Sequence, residues 1–241
     1  MGNWIDVTGI REVIDVRSEA KPVQWPDNPL RFRLPKVIEA VVPHHTAVWG
    51  KGWRQHYNFH VGPRQRFTSG RWKGEWMGRG WPICAYHLYV ARDGQVYVLG
   101  NLEHVGFHCG NEFWNIHSVG IVIEGNFAER APTDVQLVAA AEAVIWLENQ
   151  LDRRLNILWH EDLKYPEPYS CPGKYFPKEA FTALVDSYYA TPKGAGQGPE
   201  DSPKINVDID YPTPLLSPEQ PKVYPFSPDY FLRFSQPNKL L

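Results

Sequence analysis

Cysteine is scarce in this chain: Cys84, Cys109 and Cys171 are the only three in 241 residues. An odd number excludes a fully paired disulfide framework, and in a reducing cytoplasm all three are expected as thiols. Long apolar runs are missing too. No stretch of about 18 apolar residues occurs, which excludes a transmembrane helix, so no membrane insertion is expected. The opening stretch "MGNWIDVTGIREVIDVRSEAK" is broken by charge every few residues and offers no apolar core for a secretory signal. Asp6 stands where a myristoylation signal needs Ser or Thr. The expectation is synthesis in the cytoplasm without a signal peptide. A formal net charge of -2 gives no global pull toward nucleic acid or anionic membranes. Internal repeats are absent.

What is present reads as one α/β domain over residues 1–190, followed by a proline-rich extension over 191–241. Residues 1–34 alternate short apolar runs with proline turns and read as a lead-in. "KVIEAVVPHHTAV" (36–48) is a buried strand by its β-branched composition, with Pro43 marking an edge, a bulge or the strand's end. A long Gly-, Arg-, Trp- and His-rich connection follows from Trp49 to Gly80, with a short helix around "WRQHYNFHV". "CAYHLYVARDGQVYVLG" (84–100) reads as a hairpin turning at Asp93-Gly94. "HSVGIVIEGNF" (117–127) is a second buried strand. Thr133 N-caps a long helix whose apolar residues Val135, Val138, Ala139, Ala143, Ile145 and Trp146 recur near the helical period. "LNILWH" is a short strand or turn, and 177–190 a last helix. This order predicts a mixed central sheet flanked by helices. Ten of the 22 prolines fall in the last 51 residues, beside several aromatics, which predicts an extended tail partly wrapping the domain.

The chemistry gathers around "WHEDLKYPEPYSCPG" (159–173), where eleven residues separate His160 from Cys171. Zinc takes imidazole and thiolate readily, and catalytic zinc sites use three protein ligands with a fourth position left open. "PHHTA" supplies the missing histidine. Neighbouring strand residues face opposite ways, so only one of His44 and His45 can reach the same ion, and spacing alone does not choose.

Together, "VVPHHTAV", "AYHLYVARDGQVY", "VGFHCGN", "SVGIVIEGNF", "PTDVQ" and "WHED…SCPG" resemble, in order, the zinc-dependent N-acetylmuramoyl-L-alanine amidases, the family shared by phage lysins and peptidoglycan-recognition proteins. The resemblance covers about residues 36–185. It implies one zinc ion per chain held by His44, His160 and Cys171, with Tyr86 as the catalytic-site tyrosine. His108 matches a histidine of the family's substrate groove, and His45, Thr46 and Asn111 are assigned to substrate binding with it. The implied partner is peptidoglycan, bound by a monomer acting on the bacterial cell wall after release. Zinc would acidify a water toward neutral pH and polarise the scissile carbonyl, while Tyr86 would hydrogen-bond the developing oxyanion.

Several positions depart from the family. The interval before Cys171 is lengthened by "LKYPEPY", and Tyr169 stands where relatives often carry Lys or Thr. Lys164, inside that insertion, is the candidate replacement for the catalytic lysine. A related branch places a glutamate base where this chain has Val122. Glu124, two residues on and on the same strand face, is the alternative base. Between Lys51 and Arg79 seven basic residues meet one acidic residue, Glu75, and Trp49, Trp53, Trp72, Trp76 and Trp81 lie nearby. These fit acidic stem peptides and sugar stacking, or anchorage of a long loop. No nucleic-acid motif accompanies the charge. Two rivals remain: a non-catalytic peptidoglycan-recognition module, and a closed structural zinc site with His108 or Cys109 as fourth ligand. Relatives without activity typically lose the cysteine, and this chain keeps it. Recognisable wall-binding repeats are absent.

Overall fold

The computed structural model describes residues 12–70, 73–74, 76–163 and 171–190, together with two short strands, β1 (Trp4–Asp6) and β8 (Lys204–Asn206), which pair antiparallel with each other. The remainder of the proline-rich extension lies outside the described residues, as does the expectation that it wraps the domain.

Between β1 and β8 come β2 (Val13–Asp15), β3 (Ala40–His45), α1 (Gly52–Val61), β4 (Leu88–Val90), β5 (Val96–Val98), α2 (Glu112–His117), β6 (Ser118–Ile123), α3 (Asp134–Leu151), β7 (Asn156–Ile157), α4 (His160–Leu163) and α5 (Lys178–Ala190). Six strands form one sheet in the order β2-β5-β4-β6-β3-β7. Only β4 and β5 run antiparallel and the other pairs are parallel, so the sheet is mixed, as the element order predicts. The lead-in is not separate from it, because Val13–Asp15 adds to the edge alongside β5.

Every residue of β3 and β6 is buried, which explains why their sequences read as unbroken apolar runs rather than alternating ones. Parity sorts them nonetheless. Val41 on β3 and Val119, Ile121 and Ile123 on β6 pack against α3 and α5, whereas Val122 joins Trp53, Tyr89, Cys84 and Leu99 on the opposite face. His44 is in register with Val122, and Val122 with Tyr89, so His44 belongs to that second face.

Pro43 neither ends nor bulges the strand, which runs on to His45. The carbonyl of Val41 accepts from Leu158 N, and Thr46 N donates to Ile123 O, so odd positions turn toward β7 and even ones toward β6. β7 pairs only with Ala40 and Val41. The missing N–H of Pro43 therefore lies past the end of β7, on a side that has become an edge.

The Thr133 cap is a full capping box: its hydroxyl accepts from Gln136 N at 3.2 Å, and Gln136 Oε1 accepts from Thr133 N at 3.3 Å. Gln136 Nε2 also donates to the carbonyl of Glu124 at 2.7 Å, fastening the start of α3 to the end of β6. Leu137, Val138, Ala141, Val144 and Ile145 are buried against the sheet, while Val135 is 44 % exposed in the first turn. The hairpin strands are shorter than expected, leaving Tyr86 just ahead of β4, and Gly94 takes φ 85° in the turn.

Candidate functional site

Three elements converge at the end of β3. His44 comes from the strand, His160 opens α4, and Cys171 follows in the chain, its carbonyl accepting from Glu161 N at 3.1 Å. One ligand atom from each of His44, His160 and Cys171 lies within 4.8 Å of the others, and all three residues are buried. His44 Nδ1 is 3.5 Å from Cys171 Sγ, and the rings of His44 and His160 are 4.5 Å apart. Zinc–sulfur and zinc–nitrogen bonds of about 2.3 and 2.0–2.1 Å at a tetrahedral angle put the two ligand atoms about 3.6 Å apart. The donor set and this spacing fit a zinc ion. The "CPG" run is explained by packing: Gly173, at φ 117°, lies so close to Phe127 that a Cβ there would meet the Phe127 carbonyl carbon at 2.4 Å. Cys171 is thereby presented from a tight loop, joined to Pro172 by a cis peptide bond.

The two neighbouring imidazoles of β3 are held neutral. Burial pushes His44 well below the usual histidine range, and charge on His160, His108 or His45 would push it further. Burial, with some help from His160, lowers His45 to about 3. Neutral imidazole is the form that carries a lone pair for a metal.

A second group shares His44. One atom each from His44, His108 and Cys109 also lies within 4.8 Å. It uses the other side of the ring: His44 Nε2 is 3.1 Å from His108 Nδ1, while His44 Nδ1 faces Cys171. The notion of His108 or Cys109 as a fourth ligand to the first position meets this obstacle at His44, which turns opposite nitrogens to the two groups.

Tyr86 lies against the cluster, its ring 5.0 Å from that of His44 and 5.6 Å from that of His60. Burial, with the nearby thiols of Cys171 and Cys84, raises its pKa well above the usual phenol value, so the hydroxyl keeps its proton as a donor. Beyond it, His60 stacks on Trp81 and Trp81 on Phe107, at 5.2 and 5.6 Å.

The remaining sequence candidates sit elsewhere. His45 faces the α3 side, where its Nδ1 accepts from Phe127 N at 2.9 Å and its ring packs 5.8 Å from Phe127. Thr46 is buried, accepting from Gly125 N at 2.9 Å and donating to Val48 O at 2.6 Å, a tie between the ends of β3 and β6. Asn111 caps α2 by accepting from Trp114 N at 3.2 Å. His108 is only 2 % exposed and stands behind His44 rather than in an open groove. Glu124 is on the His44 face, yet it joins neither histidine–cysteine group among the described residues. Its Oε1 accepts from Gly50 N at 2.8 Å and its Oε2 from Tyr89 Oη at 3.0 Å. Lys164 and Tyr169 lie outside the described residues, as does Trp72.

Of the other tryptophans, Trp53 is buried, Trp49 packs on the core beneath Arg130 at 3.9 Å, and Trp76 carries Arg66 at 4.4 Å. Loop anchorage describes these three, whereas Trp81 neighbours the site through His60. The basic stretch is only partly solvated: Arg79 is 6 % exposed beside Phe59 and Trp81, and Arg54 pairs with Glu19. Sequence reading missed Ser118 and Gly120, hidden in the apolar run of β6. Their even numbering, shared with Val122, was the available signal.

Residues 34–174, more than half of the chain, match the family described as N-acetylmuramoyl-L-alanine amidase. Mouse peptidoglycan recognition protein 1 is 39% identical over 61 residues, which span 25% of this chain and 33% of that protein. Among solved structures, the N-acetylmuramoyl-L-alanine amidase LysC from Clostridium intestinale superposes with a TM-score of 0.56 at 24% identity, covering 73% of this chain and 98% of its own. The Drosophila peptidoglycan recognition protein SD gives 0.54 at 21% identity, covering 70% and 92%. At such identities these two likenesses are of fold alone. The match over residues 34–174 carries the assignment: the chain belongs to the N-acetylmuramoyl-L-alanine amidase family.

Proposed function

We propose that the protein hydrolyses the amide between the lactyl group of N-acetylmuramic acid and the L-alanine of the stem peptide. One zinc ion would be held by His44, His160 and Cys171. The observation that carries this reading is the convergence of those three donors within 4.8 Å beside Tyr86. When bound, the ion supplies Lewis-acid polarisation of the carbonyl and acidifies water. The chain's own part is to hold and orient. Two imidazoles and a thiol from three separate elements fix the position, and the raised pKa of Tyr86 keeps a proton ready for the carbonyl oxygen as it gains charge. The stacked pair Trp81 and Phe107 adds aromatic surface beyond Tyr86, reached through His60. The setting we propose is that of a phage or prophage endolysin, acting on the bacterial wall as a monomer after release.

The presence of recognition proteins among the relatives supports a second reading, a module that binds peptidoglycan without cutting it. One experiment separates the two. Purified protein, with and without chelator, is incubated with peptidoglycan, and zinc per chain and new L-alanine amino termini are counted. About one zinc per chain with chelator-sensitive release of termini is expected. Bound peptidoglycan with no new termini would replace the hydrolase reading with the recognition one.

A further inference from the structure

His108 is buried, hydrogen-bonded on both sides of its ring, and placed behind His44. The direction of those bonds can be worked out from one fixed point. The hydroxyl of Ser118 donates to the carbonyl of Trp114, a group that can only accept. The Ser118 oxygen is thus left as an acceptor. His108 Nε2 approaches it at 3.4 Å and must bring the proton. With the proton on Nε2 directed at the Ser118 oxygen, the Nδ1 of a neutral His108 ring carries the lone pair. His44 Nε2 stands 3.1 Å from it and must therefore be the donor. That leaves the lone pair of His44 on Nδ1, the atom 3.5 Å from Cys171 Sγ.

The seat of His108 is built by β6. A side chain at position 120 would collide with the ring, since a Cβ there would meet His108 Cγ at 2.8 Å. Gly120 thus makes the space and Ser118, two residues earlier on the same face, supplies the anchor. The next residue treats the second histidine alike: the carbonyl of Cys109 is 3.3 Å from His160 Nε2, which puts the proton on Nε2 and the lone pair on Nδ1. One short segment, His108–Cys109, therefore backs both imidazoles.

We propose that His108, seated on Gly120 and anchored by Ser118, is a positioning residue that holds His44 as its Nε2–H tautomer and so presents the Nδ1 lone pair, together with Cys171, to a metal ion. This rests on the zinc reading above. It moves His108 from the substrate side of the site to the rear of a ligand. The rival use of the same atoms, a second metal bound by His44 Nε2, His108 and Cys109, fits less well. The Cys109–His108 separation of 3.2 Å is shorter than the separation of about 3.6 Å between sulfur and nitrogen ligands on a tetrahedral zinc.

The test begins with the wild-type, metal-free chain carrying nitrogen-15 histidine. The His44 signals should be those of a protonated Nε2 and a bare Nδ1, with a scalar coupling to His108 Nδ1 across the hydrogen bond. A His44 carrying its proton on Nδ1 would overturn the proposal without any variant. Zinc affinity is then measured by competition with a chromophoric chelator. His108→Phe keeps the ring and removes the acceptor, and should weaken zinc by 10–100-fold, the usual cost of losing such a partner. His108→Asn returns an acceptor near the Nδ1 position and should recover most of that loss, which a purely space-filling role would not. Unchanged affinity in a folded His108→Phe chain would refute the proposal. So would two zinc ions per wild-type chain with one lost in His108→Phe, which would mark a second metal site. A wild-type chain that binds no zinc while showing the expected His44 tautomer would sink the zinc reading and the metal half of this proposal, leaving only the hydrogen-bond chain.

Discussion

Glu124 is where strand parity and the observed contacts lead to different chemistry. Parity puts it on the face of His44, which favours a general base. The contacts make it a clamp between the loop after β3, through Gly50, and β4, through Tyr89. The residue is 6 % exposed and Tyr89 is fully buried, so the Tyr89 hydroxyl would be stranded if the carboxylate were removed. Glu124→Ala leaves the buried Tyr89 O–H without its acceptor, at about 1–3 kcal/mol, while the N–H of exposed Gly50 can turn to water at little cost. Glu124→Gln keeps the shape. Its amide oxygen can accept from Gly50, and its amide nitrogen can donate to the Tyr89 oxygen once that hydroxyl rotates. What is lost is the charge assistance of two bonds, about 1–2 kcal/mol together. Urea unfolding gives the stability, and release of L-alanine termini gives kcat on the same preparations. The clamp reading expects Glu124→Gln to be slightly less stable and to keep activity within a few-fold. A general base contributes typically about 10²–10⁴-fold. A Glu124→Gln chain of near wild-type stability that loses that much kcat would refute the clamp as the whole role of this residue.

Cys171→Ser should lose most zinc affinity and activity while the sheet stays folded; full hydrolysis by that variant would remove the proposed site. Tyr86→Phe should keep zinc and lower kcat by about 10²–10³-fold, the usual cost of one oxyanion donor, whereas loss of zinc instead would show the role misassigned. His56, buried in α1, has its pKa lowered to about 4, by burial first and by Lys51 second, against 6.5 for the free side chain. Because the unfolded chain takes up that proton first, the contribution is full above pH 6.5, is lost as pH falls from 6.5 toward 4, and is flat below. The span of about 2.5 pKa units corresponds to about 3 kcal/mol. Replacing His56 with Phe should shrink the metal-free chain's loss of stability between pH 7 and pH 4 by that order in urea titrations, and an unchanged pH slope would contradict it.

The sequence is most legible where the physics is local or doubled. β3 and β6 are buried on both faces, so their apolar runs stand out, and α3 announces itself through a capping box that needs only Thr133 and Gln136. β2 escapes notice, and β7 is legible only as a short strand or turn, because two or three residues at the rim of a sheet carry little hydrophobic pattern of their own and their pairing partners are distant in the chain. α2 escapes for a similar reason: "EFWNIH" spans under two turns, too few for a period to show. Choosing between His44 and His45 required knowing which face each strand turns where, and that depends on long-range register. Once His44 and Val122 are seen in register, the same parity names Ser118, Gly120 and Glu124 as residues of the site face.

That parity also explains why this corner of the fold is built to receive a cation. Neither histidine–cysteine group among the described residues contains a carboxylate, so no fixed negative charge offsets a proton on any imidazole, and burial keeps His44 and His108 neutral. Each neutral ring has one lone pair to place. The lone pair of His108 is met by His44, and the protons of His44 and His160 are turned outward, onto His108 and the Cys109 carbonyl. The lone pairs of His44 and His160 are left on their Nδ1 atoms, and the His44 atom faces Cys171, whose thiol has one proton to share. Two imidazole nitrogens and a sulfur that can give up its proton make a good ligand set for zinc. Metal binding releases the thiol proton and ties residues from three separate elements to one ion, so the free energy of binding is also free energy of folding for this corner of the chain.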